Sequence, residues 1–311
     1  MPAIQELTPK TARNTHRTFR GIGLASLALG GVVMIAGCST MGPKFHHTKS
    51  MVIDHVAGSA LSIENSNGSI TATAHERSDV SVSIDLFGND VFRLEEASVH
   101  WERGPDQTLS LWVQWPGDKR KSGEGASWDI ELPDATGAQI KSSNGSITIQ
   151  GFSGHLELKS SNGKIQVRDH DGSFFADTSN GSIIAEHVSG EAEAYSSNGK
   201  IIVTDAFGPI HAETSNGRVY ISTMDGNEGP VRVRTSNGRV ELDLGEGFVG
   251  KLTCRTGNGN IGINDINGAQ LIEVSKKRVE LQFGDSDVVS AVKTSNGSVR
   301  IQNRQPDIAD D

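Results

Sequence analysis

A six-residue phrase recurs along the chain almost unchanged. It reads SSNGSI at 142–147, SSNGKI at 160–165, TSNGSI at 178–183, SSNGKI at 196–201, TSNGRV at 214–219 and 235–240, and TSNGSV at 294–299. Its asparagines are Asn144, Asn162, Asn180, Asn198, Asn216, Asn237 and Asn296, with an earlier copy at Asn67 and a degenerate one, TGNGNI, at Asn258. A worn copy, VSKKRVEL, places Lys276 in the same column, and the spacings from Asn144 onward are then 18, 18, 18, 18, 21, 21, 18 and 20. A period this regular restricts the chain to folds that repeat one small unit against its neighbours.

Each unit holds two short strands. The third and fifth residues after Asn are apolar (Ile165/Val167, Ile201/Val203, Val219/Ile221), as are the sixth and fourth before it (Leu156/Leu158, Ile210/Ala212, Val231/Val233). Alternation with period two gives each strand one inward and one outward face. A second turn such as DHDG, HVSG or DAFG closes the unit. Asn-Gly is a strong hairpin signal, so an antiparallel meander is one solution. It does not explain why Ser precedes Asn nearly everywhere, with Ser or Thr before that. Stacked coils do, because aligned columns let Asn and hydroxyl side chains bond along the axis. The sequence therefore predicts an all-β, parallel β-solenoid with two short strands per coil of about 18 residues. Residues 79–130 interrupt it as a Trp-containing β insertion or cap near the N-terminal end, with coils assumed to stack in chain order.

The N-terminal residues read as an address. Lys10, Arg13, Arg17 and Arg20 precede the apolar run GIGLASLALGGVVMIAG, the pattern of a secretory signal. IAGC at 35–38 resembles the bacterial lipobox, which implies lipidation of Cys38, a membrane held through that lipid, and, with Ser39 next, the outer membrane. The expected layout is 1–37 signal peptide, 38–50 lipidated tether, 51–303 repeat domain and 304–311 polar tail. Without residues 1–37 the chain keeps 25 basic and 37 acidic groups, a formal charge of −12. Such acidity disfavours nucleic acid as a partner.

The stretches SSNGSITI, TSNGSIIA and TSNGRVYI, led in by WDIELPDATGAQIKSSNGSI, resemble the bacterial putative-adhesin family over roughly residues 51–303. That family is a domain of unknown function made of β-strand repeats. The resemblance implies a secreted or envelope-anchored protein and names no ligand.

The residue after each Asn-Gly points outward and is often basic: Lys164, Lys200, Arg218, Arg239 and Arg278. These form either a solvated stripe, with Asp169, Asp205 and Asp225 partly neutralising it, or an edge that binds anionic glycan or lipopolysaccharide. Trp112 lies opposite Leu109, Leu111, Val113 and Trp115, either beneath a neighbouring strand or open to stack on sugar. Cys254 stands in an inward column and reads as a small buried hydrophobe. The loop GDKRKSGEG is expected to be mobile. No HExxH, G-x-S-x-G or phosphate-loop motif occurs, and DHDG lacks the remaining ligands of a calcium loop. No catalytic residue, metal or cofactor is expected. The resulting expectation is a non-catalytic, adhesin-like envelope lipoprotein. A ligand-free structural or envelope-stress accessory is the alternative, and a β-helix polysaccharide-degrading enzyme is a further one. Oligomeric state, coil count and the face of the membrane stay open.

Overall fold

The computed structural model describes residues 44–304, so the expected signal peptide and Cys38 lie outside the described residues. The N-terminal part runs β1 (Phe45–Asp54), β2 (Leu61–Asn67), β3 (Ile70–Ala74), β4 (Asp79–Gly88), helix α1 (Val91–Glu96), β5 (Ser98–Arg103), β6 (Leu109–Gln114) and β7 (Gly125–Leu132). The repeats follow as β8 (Thr136–Asn144), β9 (Ile147–Gln150), β10 (Ser153–Ser160), β11 (Ile165–His170), β12 (Phe174–Thr178), β13 (Ile183–Val188), β14 (Ala192–Ser196), β15 (Ile201–Ala206), β16 (Ile210–Thr214), β17 (Val219–Thr223), β18 (Val231–Thr235) and β19 (Val240–Leu244). The last part comprises β20 (Gly250–Thr256), β21 (Ile261–Asn264), β22 (Ala269–Val274), β23 (Arg278–Phe283), β24 (Val289–Thr294) and β25 (Val299–Asn303).

These strands form two sheets, one of 12 and one of 13 strands, and from β8 to β21 the chain alternates between them. Pairing through the repeats is parallel and in register at the repeat period: Ile165 sits beside Ile147 on one side and Ile183 on the other. The inner faces meet as a dry core. The 12-stranded sheet supplies Ile165, Ile183, Ile201, Val219 and Val240, all fully buried. The other sheet faces them with a mixture of large and small side chains: Leu156 and Leu158, Phe174 and Ala176, Ala192 and Ala194, Ile210 and Ala212. Each buried Leu, Ile, Val or Phe contributes about 1.5–3 kcal/mol.

The glycine of each Asn-Gly is required by a close approach and not by its own dihedral angles. A Cβ on Gly199 would lie 1.7 Å from the carbonyl oxygen of Gly181, and one on Gly181 would lie 1.8 Å from that of Gly163. From Gly145 to Gly297 none of these glycines has a positive φ; Gly68, in the first copy, does, at 109°. The backbone of the next coil thus occupies the space a side chain would take.

Two expectations fail here. The worn copy at Lys276 makes no coil. Where the repeat has Gly it has Lys277, whose side chain forbids the close approach. The segment instead folds back as an antiparallel hairpin, with β22 on β23 and β23 on β20. The coils also do not stack in chain order. Strand β24 lies between β18 and β20, and β25 lies between β19 and β21. The last coil therefore fills a gap left between the Asn237 and Asn258 coils. A similar reversal occurs at the other end, where β6 and β7 stack outside β2 and β3, and the chain then steps back across them to β8 and β9.

Residues 79–130 build that outer end. The loop after the 3-10 turn Pro116–Asp118 is clamped and not free. Glu124, 2 % exposed, accepts from Arg93 Nε at 2.5 Å, from Arg93 at 3.1 Å through its other oxygen, and from the Lys121 amide at 2.6 Å. Burial alone would raise the Glu124 carboxyl. The Arg93 guanidinium and the Lys121 amide outweigh it and hold the group below the ordinary carboxylate range.

Candidate functional site

The repeat phrase forms one corner of the stack. Along it the Asn side chains are bonded head to tail. Asn162 Nδ2 donates to Asn144 Oδ1 at 2.8 Å, Asn180 to Asn162 at 2.8 Å, Asn198 to Asn180 at 2.9 Å and Asn216 to Asn198 at 2.9 Å. The series continues from Asn237 to Asn216, Asn296 to Asn237 and Asn258 to Asn296, and it ends with Asn144 donating to Asn67. Every amide points the same way, an arrangement in which neighbouring bonds polarise one another.

The hydroxyls two residues earlier do not bond to each other, as the expected hydroxyl ladder required. From Ser160 onward they donate to the glycine carbonyl of the adjacent coil, as Thr178 does to Gly163 at 3.1 Å, Ser196 to Gly181 at 2.9 Å and Thr214 to Gly199 at 3.0 Å, whereas the buried Ser142 hydroxyl has no such partner. Ser196 also accepts from its own coil's Gly199 amide at 2.9 Å. The close glycine approach places that carbonyl nearer than the next hydroxyl.

Beside this ladder stand the basic side chains. Lys200, Arg218 and Arg239 are exposed on three successive coils, and Lys164 lies two coils below Lys200, past Ser182. Lys164 donates to Gln166 at 2.7 Å. Arg218 pairs with Glu241, which Arg239 also reaches at 3.4 Å. Glu241 is thus the neutralising carboxylate. Asp169 and Asp205 stand at the opposite ends of β11 and β15, against His187 at 3.2 and 3.5 Å. Arg278 is not part of the row. It belongs to β23 in the other sheet and pairs with Glu273 and Glu280 at 3.1 Å each.

Beneath the arginines, Tyr220 donates to Asp243 at 2.6 Å, and burial, followed by this carboxylate, pushes its hydroxyl up to about 12. Trp112 is half-buried and stacks at 5.7 Å and 16° on His100 of the neighbouring strand, so one ring face is covered. Cys254 is fully buried between Val292 and Val279, and burial pushes its thiol up, away from the thiolate. Among the described residues no three His, Cys, Asp or Glu side chains gather as metal ligands, and no helix is long and apolar enough to cross a membrane.

Sequence reasoning missed an aromatic group on the outer face of the 13-stranded sheet. Phe175 lies 5.5 Å from Tyr195, which lies 5.3 Å from His211, and Lys159 stands 5.3 Å over the Phe175 ring. Tyr195 donates to Glu193 at 3.0 Å, and burial with that carboxylate pushes its hydroxyl up to about 12. The available signal was aromatic residues at outward positions of two consecutive repeats.

No known family profile and no curated protein matches the chain. Solved structures do. A putative adhesin from Bacteroides fragilis is 12% identical with a TM-score of 0.44, and 82% of this chain covers 97% of it. A putative lipid binding protein from Parabacteroides distasonis is 10% identical with a TM-score of 0.40, 82% of this chain covering 96% of it. A putative cell adhesion protein from Clostridium sporogenes is 10% identical with a TM-score of 0.28, 83% of this chain covering all of it.

Proposed function

We propose that the chain is a β-solenoid of the putative-adhesin type, tethered to the cell envelope through a lipid on Cys38, which binds anionic glycan along its corner without catalysis. The observation that supports this is the row Lys200, Arg218 and Arg239, held on consecutive coils by the Asn ladder and pointing outward. Coils stacked about 4.8 Å apart present those cations at a fixed interval, which suits a repeating polyanion better than a compact ligand. Two like charges at such spacing cost about 1 kcal/mol in water, so an exposed row persists without a ligand. The full chain in detergent should bind acidic polysaccharide and leave its length unchanged. Changing Lys200, Arg218 and Arg239 together to Ser should abolish the binding. Equal binding by the triple variant refutes the proposal, and shortening of the polysaccharide refutes its non-catalytic part.

One observation favours a second reading, a ligand-free envelope accessory: Arg218 and Arg239 already share Glu241. On that reading the wild-type chain binds no acidic glycan, and deletion of the protein weakens the envelope.

A further inference from the structure

The out-of-order last coil creates a depression that no single repeat contains. It has a volume of about 220 Å³ and opens on the outer face of the 12-stranded sheet, near the edge strand β21. Arg239 comes from the Asn237 coil, Ser298 and Arg300 from the last coil, and Asn260, Gly262 and Asn264 from the Asn258 coil. Gly262 lies directly beside Arg300 in register. It forms the floor, because a Cβ built there meets no atom within 4 Å. The outward residues flanking it are Asn260, just before β21, and Asn264 at its end.

The two guanidiniums differ in what holds them. Arg239 reaches Glu241 only at 3.4 Å, and that carboxylate is already taken by Arg218. Arg300, exposed and beside Glu241 in register, makes no ion pair among the described residues. A planar guanidinium without a partner is the side chain best suited to take a carboxylate through two parallel bonds. The remaining lining groups are uncharged amides and a hydroxyl, which both donate and accept, as sugar hydroxyls do. The volume falls below the roughly 300–1,000 Å³ of sites for larger ligands, so one ring fits and a long segment does not.

We propose that this depression binds a single acidic sugar residue of uronic-acid type. Its carboxylate lies between Arg300 and Arg239, and its hydroxyls meet Asn260, Asn264 and Ser298. The proposal rests on the anionic-glycan reading above and gives that glycan its sugar class and its point of attachment.

The test measures binding of an oligogalacturonate, a neutral galactose oligomer and inorganic phosphate to the full chain in detergent. Three forms are compared: wild type, Arg300→Gln and Gly262→Ile. Gly262→Ile fills the floor in a strand where a β-branched residue is well tolerated, so the fold should hold, as checked by thermal melting. Wild type should bind the oligogalacturonate and not the neutral oligomer. Arg300→Gln should weaken binding at least tenfold, about 1.4 kcal/mol, and Gly262→Ile should abolish it. Wild-type affinity in both variants overturns this site while leaving the broader glycan reading standing. No binding of the acidic oligomer to wild type overturns both. Equal binding of the neutral oligomer overturns acid recognition, and competition by phosphate as strong as by the oligomer overturns the sugar assignment.

Discussion

Replacing Asn198 by alanine removes two bonds from the middle of the corner ladder: its donation to Asn180 at 2.9 Å and its acceptance from Asn216 at 2.9 Å. A net hydrogen bond contributes about 0.5–1.5 kcal/mol, so two give about 1–3 kcal/mol. Asn198 is exposed and water takes over the freed groups, which places the expected loss at about 1–2 kcal/mol. Asn258 ends the ladder and makes only its donation to Asn296. Asn258→Ala should therefore cost about half as much. The assay is urea unfolding, read as a midpoint shift at constant slope. The aspartate variant sharpens it. In Asn198→Asp one oxygen still accepts from Asn216, while the other faces the Asn180 oxygen with nothing to donate. The charged form is disfavoured, so the folded pKa of the new carboxyl rises above its unfolded value. The deficit relative to wild type is then full at neutral pH and shrinks as pH falls through that raised value, where the protonated carboxyl donates again. Equal losses at Asn198 and Asn258, or an aspartate deficit that deepens on acidification, would refute the ladder as a source of stability.

Further outcomes follow from the same geometry. Gly199→Ala should destabilise by more than about 3 kcal/mol, since its clash is with backbone that cannot rotate away; circular dichroism melting checks it. Glu124→Gln should lower the urea unfolding midpoint, because the amide keeps one acceptor for Arg93 but loses the charge and the second oxygen that takes the Lys121 amide. In the wild type that pair's contribution is present above the ordinary carboxylate range and is lost as pH falls through the depressed Glu124 value. The chain has two tyrosines, Tyr195 and Tyr220, so its alkaline ultraviolet titration should show a midpoint near 12 and almost no phenolate at pH 10. A midpoint near 10 with secondary structure intact would contradict the burial of both hydroxyls.

The corner column and both inward faces were legible because each is written into every repeat. Asn at one offset, Ser or Thr two before it and apolar residues at fixed offsets leave little freedom for Asn198 or Ile201. What the sequence could not show is which coil lies beside which. Ladder chemistry is identical in all coils, so nothing local distinguishes the Asn296 coil stacked on Asn237 from the Asn258 coil stacked there. For that reason Arg300 could not be placed beside Gly262, and the depression they share was invisible. Arg278 shows a related limit. Its spacing matched the basic column, and only the missing glycine at Lys277 marked the segment as unable to stack. The partner of the arginine row was likewise misplaced, because Glu241 is an outward strand residue while Asp169 and Asp205 lie near in sequence and far in space.

The slot between the Asn237 and Asn258 coils also has a consequence during synthesis. From β10 to β19 each coil can settle on the one before it as soon as it leaves the ribosome. The Asn258 coil cannot, since its permanent neighbour is made of strands that emerge after it, β24 and β25. Until they arrive, the same ladder that orders the stack offers residues 250–264 a premature seat directly on Asn237. The finished molecule requires that seat to be left or never taken. Closure of this end of the stack is therefore tied to β24 and β25, so it stays unlocked until those two strands have been made.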